Sequence, residues 1–292
     1  MAEVNLYGGG WRATLRPAEG GIMASLASGG TEVLRTMSAG ARSPLDSAGF
    51  PLVPYANRVR GGRFAWHGSD VKLPHNFPPE TSSIHGMGWQ SAWRIAEQRE
   101  DFCTLVHDHS CLGPLPLRTP IRQWPWAYRA TQTVHLEPGG AAITLEVTNA
   151  SDTPMPAGLG LHPYFRRRPE TRITFHSNTI VLVGEDQIPT GETAEAALFG
   201  DFSAGAELPD QLIDHSFAGW DGHARIEDDL GSIELHTSGA KCLHVYAPPR
   251  ADFLCLEPVT HLPDALNQRP DDMITLAPGQ SAGLTLRITA GT

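Results

Sequence analysis

The strongest constraint on the fold is the alternation in YRATQTVHLEPGGAAITLEVTN, residues 128–149. Ile143, Leu145 and Val147 fall on one side, Thr144, Glu146 and Thr148 on the other. That period of two belongs to a half-buried strand. The first half alternates in the same way, and LEPGG between the halves is a turn signal. The segment therefore reads as an antiparallel hairpin.

Similar runs recur. WRATLRPAEGGIMASLASGGTEVLR (11–35) reads as two strands around a Gly-Gly turn, and Trp66 to Leu73 as another short strand. RITFHSN (172–178) and TIVLVGED (179–186) read as a second pair. GSIELHTSG, CLHVYAPP, DFLCLEPV and AGLTLRITA carry the pattern to the C-terminal part of the chain. The 30 glycines and 24 prolines are spread between these runs, as many short strands require. Helical periodicity is confined to Glu192–Phe199 and Pro263–Asn267. There is no fixed-period repeat and no low-complexity linker. The expectation is one all-β domain over residues 1–292, with antiparallel sheets packed face to face.

A formal net charge of −10 argues against a phosphate backbone as partner, so nucleic acid is not expected. No apolar run approaches 18 residues, and MAEVNLYGGG lacks the pattern of a signal peptide. Neither a membrane span nor export is expected. Cys103, Cys111, Cys242 and Cys255 form no CxxC and read as reduced thiols of a cytoplasmic protein.

Four segments concentrate groups able to do chemistry: PYANRVRGG (54–62), SIHGMGWQSAW (83–93), GLGLHPYF (158–165) and FLCLEPVTHLPDALN (253–267). LIDHSF (212–217) is a weaker fifth. His162 reads either as a satisfied core histidine, a metal ligand or a proton donor; Gly158 and Gly160 beside it signal close approach of a ligand or another backbone. His85 sits in a glycine turn with Trp89, which offers a planar apolar face. Glu257 ends an apolar run, where desolvation raises a carboxyl toward the range of a base. Asn57 and Arg58 are multi-donor groups suited to hydroxyl and carboxylate oxygens. His107-Asp108-His109 lacks a third ligand and reads poorly as a metal site. Arg166-Arg167-Arg168 reads as a solvated loop or as a contact for a phosphorylated ligand.

Taken together, the Asn57-Arg58 pair, the His85-Gly86 turn with Trp89, GLGLHPYF and EPVTHLPDALN resemble the aldose 1-epimerase (mutarotase) family, in that order and over nearly the whole chain. The resemblance implies a galactose mutarotase-like β-supersandwich, a pyranose monosaccharide as substrate, and no metal or organic cofactor; a monomer or homodimer is expected. It implies His162 as general acid, Glu257 as general base and His85 as a second active-site histidine. Asn57, Arg58 and Asp214 would bind sugar hydroxyls, and Trp89 and Tyr246 would stack on the sugar's apolar face. Two departures bear on which sugar fits: His244 stands where the family often has glutamine, and the chain is shorter than typical galactose mutarotases. Three other readings stay open: a hexose-6-phosphate epimerase using Arg166–Arg168, a non-catalytic sugar-binding module, and a glycosidase, which would need a second carboxylate beside Glu257.

Overall fold

The computed structural model describes residues 3–110 and 123–291. Most of these residues lie in two antiparallel sheets, one of eleven strands and one of nine, with three two-stranded ribbons at their margins. The nine-stranded sheet is built around the hairpin expected from the alternation. Tyr128–Glu137 pairs with Gly140–Asn149 from Tyr128↔Asn149 to Glu137↔Gly140. Burial alternates along the first of these strands. Its buried residues join Leu145, Leu284, Leu286 and Ile288 in one core, with Leu6, Leu15, Leu26 and Phe165 of the larger sheet. Two sheets, each burying one face against the other, account for the period of two in the sequence. No helix among the described residues is long and apolar enough to cross a membrane.

The N-terminal segment turns through Pro17–Glu19 and Gly20-Gly21, pairing Trp11–Arg16 with Ile22–Ser28; Thr31–Leu34 adds a third strand. Three expectations are corrected. Glu192–Phe199 is not helical: Pro189–Glu195 is an exposed edge strand whose backbone pairs with Thr179–Val183. Sheet hydrogen bonds there outweigh local helix preference. Trp66–Leu73 is not one strand but a hairpin, Arg63–Trp66 against Ser69–Lys72, turning at His67-Gly68, where both residues have positive φ. Residues 172–178 and 179–186 do not pair with each other. Arg172–Phe175 joins the nine-stranded sheet and Thr179–Val183 the eleven-stranded one, so His176–Asn178 crosses between layers.

The short helix Ala265–Gln268 falls where a helix was expected. Cys103, Cys242 and Cys255 are free and buried; Cys111 lies outside the described residues.

Candidate active site

Five neighbouring strands of the large sheet supply the site: Gly49–Leu52, Gly160–Arg166, Phe253–Val259, Cys242–Ala247 and Ile213–Ala218. Their registers line up one transverse row. Phe50 is opposite His162, Glu257 opposite His244, and His244 opposite Ser216. Gly160↔Val259 and Tyr164↔Cys255 set His162 across from Glu257. Directly opposed residues share a face, so Phe50, His162, Glu257, His244 and Ser216 all point the same way. Two residues along each strand, on the same face, runs a second row: Tyr164, Cys255, Tyr246 and Asp214.

His162, Glu257, His244, Tyr164, Tyr246 and Asp214 of these rows floor an open cavity of ≈ 420 Å³. The 57–58 and 84–85 loops wall it, and Leu45, Phe77, Leu212 and Phe253 give it an apolar rim. His162 Nε2 lies 3.2 Å from Glu257 Oε1, with both side chains buried. The imidazole also packs on Phe50 and Tyr164, at ring-centroid distances of 4.5 and 4.7 Å. Arg35 lies over the Tyr164 ring, 3.6 Å from its centroid, a cation–π contact that fixes the floor from behind.

Burial dominates the electrostatics. It pushes the Glu257 carboxyl up to about 8, with the His244 and Arg58 cations opposing the shift. Burial, with the His244 cation, pushes His162 down to about 3. A histidine that is cationic in the empty cavity, as the proton-donor reading requires, is therefore not the resting state. At rest the pair is therefore electrically neutral, with the proton on the Glu257 carboxyl and His162 uncharged.

His244 behaves differently. Burial lowers it, but the hydrogen bond to Asp214 and the charges of Glu257 and Asp214 outweigh burial, and the net shift is upward. Its Nε2 is 2.8 Å from Asp214 Oδ1 and its Nδ1 2.9 Å from Ser216 Oγ. Asp214 stays ionised, its carboxyl held low by that hydrogen bond against the cost of burial. A hydrogen-bonded His244–Asp214 pair, its imidazole biased toward the charged form, thus stands beside Glu257.

His85 and Asn57 clamp each other. The His85 backbone N–H donates to Asn57 O at 2.9 Å, and the Asn57 backbone N–H donates to His85 Nδ1 at 3.1 Å. Burial, then the His162, Arg58 and His244 charges, hold His85 well below its ordinary value. A neutral ring whose Nδ1 accepts carries its proton on Nε2, so His85 is a hydrogen-bond donor. Both clamp residues have left-handed backbone, φ 55° at Asn57 and 60° at His85. The next residue must be glycine: at φ 68°, a Cβ on Gly86 would lie 2.3 Å from Val53 O.

The two ends of the sequence pattern are tied together here. His261 Nε2 accepts from the Ala56 backbone N–H at 3.1 Å. The backbone N–H of buried Asp264 donates to Arg58 O at 2.8 Å, and its Oδ1 accepts from the Arg60 backbone N–H at 2.9 Å. EPVTHLPDALN thus carries Glu257 on its strand and uses His261 and Asp264 to hold the Asn57–Arg58 loop. Arg58 reaches Glu80 at 3.4 Å.

The structure brings together His162, Glu257, His85, Asn57, Arg58, Asp214 and Tyr246 around one cavity. It does not bring Trp89 there. That ring is buried, stacks on Phe50 at 5.5 Å, and donates Nε1–H to the Ile84 and Gly86 carbonyls; one face and the polar edge serve the scaffold. Gly158 and Gly160 make room for the protein's own side chains, the His261 ring and Val259 with Leu52, rather than for a ligand. Arg166, Arg167 and Arg168 do not line the cavity. Arg166 bonds Asp228 through two nitrogens at 2.9 and 3.1 Å, Arg168 pairs with Asp229, and Arg167 donates to Pro248 O. Phe50, Ser216 and Cys255 escaped the sequence reading. Tyr164 and Cys255 follow from the two-residue spacing once His162 and Glu257 are placed; Phe50 and Ser216 required the cross-strand register.

The aldose 1-epimerase family model matches residues 13–289. The chain belongs to the aldose 1-epimerase family. It is 35% identical over 257 residues to the uncharacterised protein YphB of Escherichia coli K12, covering 83% of this chain and 84% of YphB. An E. coli K12 crystal structure with a provisional aldose 1-epimerase assignment superposes with a TM-score of 0.88 at 32% identity, covering 99% of both chains. A galactose mutarotase-like protein from Clostridium acetobutylicum gives 0.85 at 19% identity, over 99% of this chain and 95% of that one. That likeness shows a shared fold. The family's galactose mutarotase-like architecture is the one described above.

Proposed function

We propose that this family member is an aldose 1-epimerase acting on a free, unphosphorylated sugar. The observation that carries the reading is the His162–Glu257 contact of 3.2 Å on the floor of a cavity lined with hydroxyl-binding groups.

A sugar entering the cavity replaces the direct contact with two hydrogen bonds. Glu257, as carboxylate, takes the C1 hydroxyl proton. The C1–O5 bond breaks, its electrons pass to O5, and O5 receives the proton of His162. The open-chain aldehyde turns about C1–C2, and the same steps in reverse close the ring on the other face. The reactive form has its proton on His162; it arises by transfer of the proton from the Glu257 carboxyl to His162 Nε2, so a neutral pair supplies both acid and base. Acting together, the two groups avoid a full charge on the sugar. His85 Nε2–H is an additional donor for oxygens in this region. Asp214, Asn57 and Arg58 fit the sugar's other hydroxyls, and Tyr246 and Phe253 offer rings for its apolar face. The His244 cation favours the carboxylate form of Glu257 while holding His162 low. Its counterpart, the glutamine of the resemblance, has no charge with which to do either.

A 6-phosphate is disfavoured. Arg166–Arg168 are committed elsewhere, and Arg58, the cavity's arginine, shares it with Glu80, Asp214 and Glu257. Polarimetry on glucose, galactose and arabinose against their phosphates tests the proposal. Faster equilibration of free sugars supports it; a preference for the phosphates overturns the substrate class, and no acceleration of any sugar overturns the activity.

A further inference from the structure

On the nine-stranded sheet, well apart in the topology from the catalytic rows, a second group of ligand side chains converges. His223–Asp228 and Gly231–Ser238 are paired with His223 directly opposite His236 and Arg225 opposite Glu234. The two imidazoles stack at 4.4 Å with planes 27° apart. Both Nε2 atoms turn toward one oxygen, Glu234 Oε2, at 3.4 Å from His223 and 3.6 Å from His236. We infer that His223, Glu234 and His236 form a binding site for a divalent transition-metal ion of the zinc type.

The distances fit a metal ligand set as well as the long hydrogen bond that His223 Nε2 makes to Glu234 Oε2. N–H···O bonds cluster at about 2.7–3.2 Å, and both contacts are longer. Around a tetrahedral zinc with bonds of about 2.0–2.2 Å, ligand atoms stand roughly 3.3–3.5 Å apart. The carboxylate is already aimed: Arg225 Nη1 donates to Oε1 at 2.9 Å, leaving Oε2 toward the histidines. The backbone beneath is fixed by Trp220 Nε1, which donates to His223 O at 2.8 Å. Imidazole suits zinc, copper and nickel, and two imidazoles with one carboxylate make a recurrent ligand set. The side chains are partly exposed, so water can complete the shell. An ion here would staple two neighbouring strands, and by binding only the folded state it would stabilise the protein. None of the three residues lines the sugar cavity. His162, Cys255 and Glu257 also lie close enough together to share an ion, so the test must separate the two places.

The experiment titrates Zn(II) into the full-length protein against a chromophoric chelator, with thermal melts alongside. His236→Ala and the double variant His223→Ala/His236→Ala are compared with wild type and with Glu257→Gln. The expected result is one ion per chain in wild type and in Glu257→Gln, a rise in Tm with added Zn(II), and at least about tenfold weaker binding in both histidine variants. Metal-free melts of these variants establish that they fold. Equal binding by the double variant and wild type, or binding lost in Glu257→Gln, would overturn the assignment.

Discussion

Two groups of buried histidines differ in whether a carboxylate stands beside them. His107 and His109 lie on one face of Phe102–His109, each about as buried as His162. Burial lowers both, as it lowers His162. His109 stacks on Tyr128 at 4.9 Å and donates to Trp124 O at 2.8 Å. Among the described residues neither ring contacts a carboxylate. Asp108 between them faces the other way, onto Arg94 and Arg129. His162 and His244 have Glu257 and Asp214 within 3.2 Å. Desolvation alone leaves a neutral packing ring; desolvation with a cross-strand carboxylate leaves a pair of the kind the proposed acid–base chemistry needs.

The largest effect should come from the pair itself. Glu257→Gln and His162→Asn should each lower kcat/KM by about 10²–10⁴-fold. Far-ultraviolet circular dichroism should be unchanged. Because the Glu257 carboxyl is raised in the fold, ionising it costs stability as pH rises from its unfolded value of 4.5 toward about 8. Glu257→Gln should therefore melt no lower than wild type at pH 6 and higher at pH 9. A variant that melts lower at both would make Glu257 a structural residue and break the contrast.

The pH profile comes next. The pair holds a single proton between about 3 and about 8, so kcat/KM should fall above about pH 8, by about tenfold per unit. An activity still rising at pH 9 would contradict that single proton. His244→Gln sharpens this further. Without the cation the Glu257 carboxyl rises, so the basic limb should move up by about one pH unit while the rate drops by about tenfold. A purely structural role would change the amplitude and leave the limb in place.

The smallest effect belongs to the other histidine group. His109→Leu should leave kcat/KM within about twofold and lower stability by about 1–2 kcal/mol, because Trp124 O loses its donor. Denaturant unfolding and polarimetry on one preparation measure both.

Much of this contrast was legible in the residues. Gly-x-His-Pro-Tyr-Phe and Glu-Pro, each in an apolar run, marked the two residues that meet on the cavity floor, and strict alternation marked the central hairpin. What escaped depended on contacts between distant segments. Trp89 sits in a glycine turn as a rim residue would, but its ring turns inward because Phe50 and two carbonyls claim it. The arginine run looked available until Asp228 and Asp229, at a hairpin end of the other sheet, and the Pro248 carbonyl were placed beside it. The segment at 192–199 has helix-forming residues, yet a neighbouring strand's unpaired backbone decides its state. His244 stood out as a departure from the family pattern, but its partnership with Asp214 follows only from register.

The most direct measurement is the catalysed equilibration rate of whichever free aldose wild type handles best, compared with Glu257→Gln and His162→Asn at pH 7. The account predicts a clear acceleration over the spontaneous rate in wild type and loss of nearly all of it in each folded variant. Variants that retain wild-type rates would contradict it.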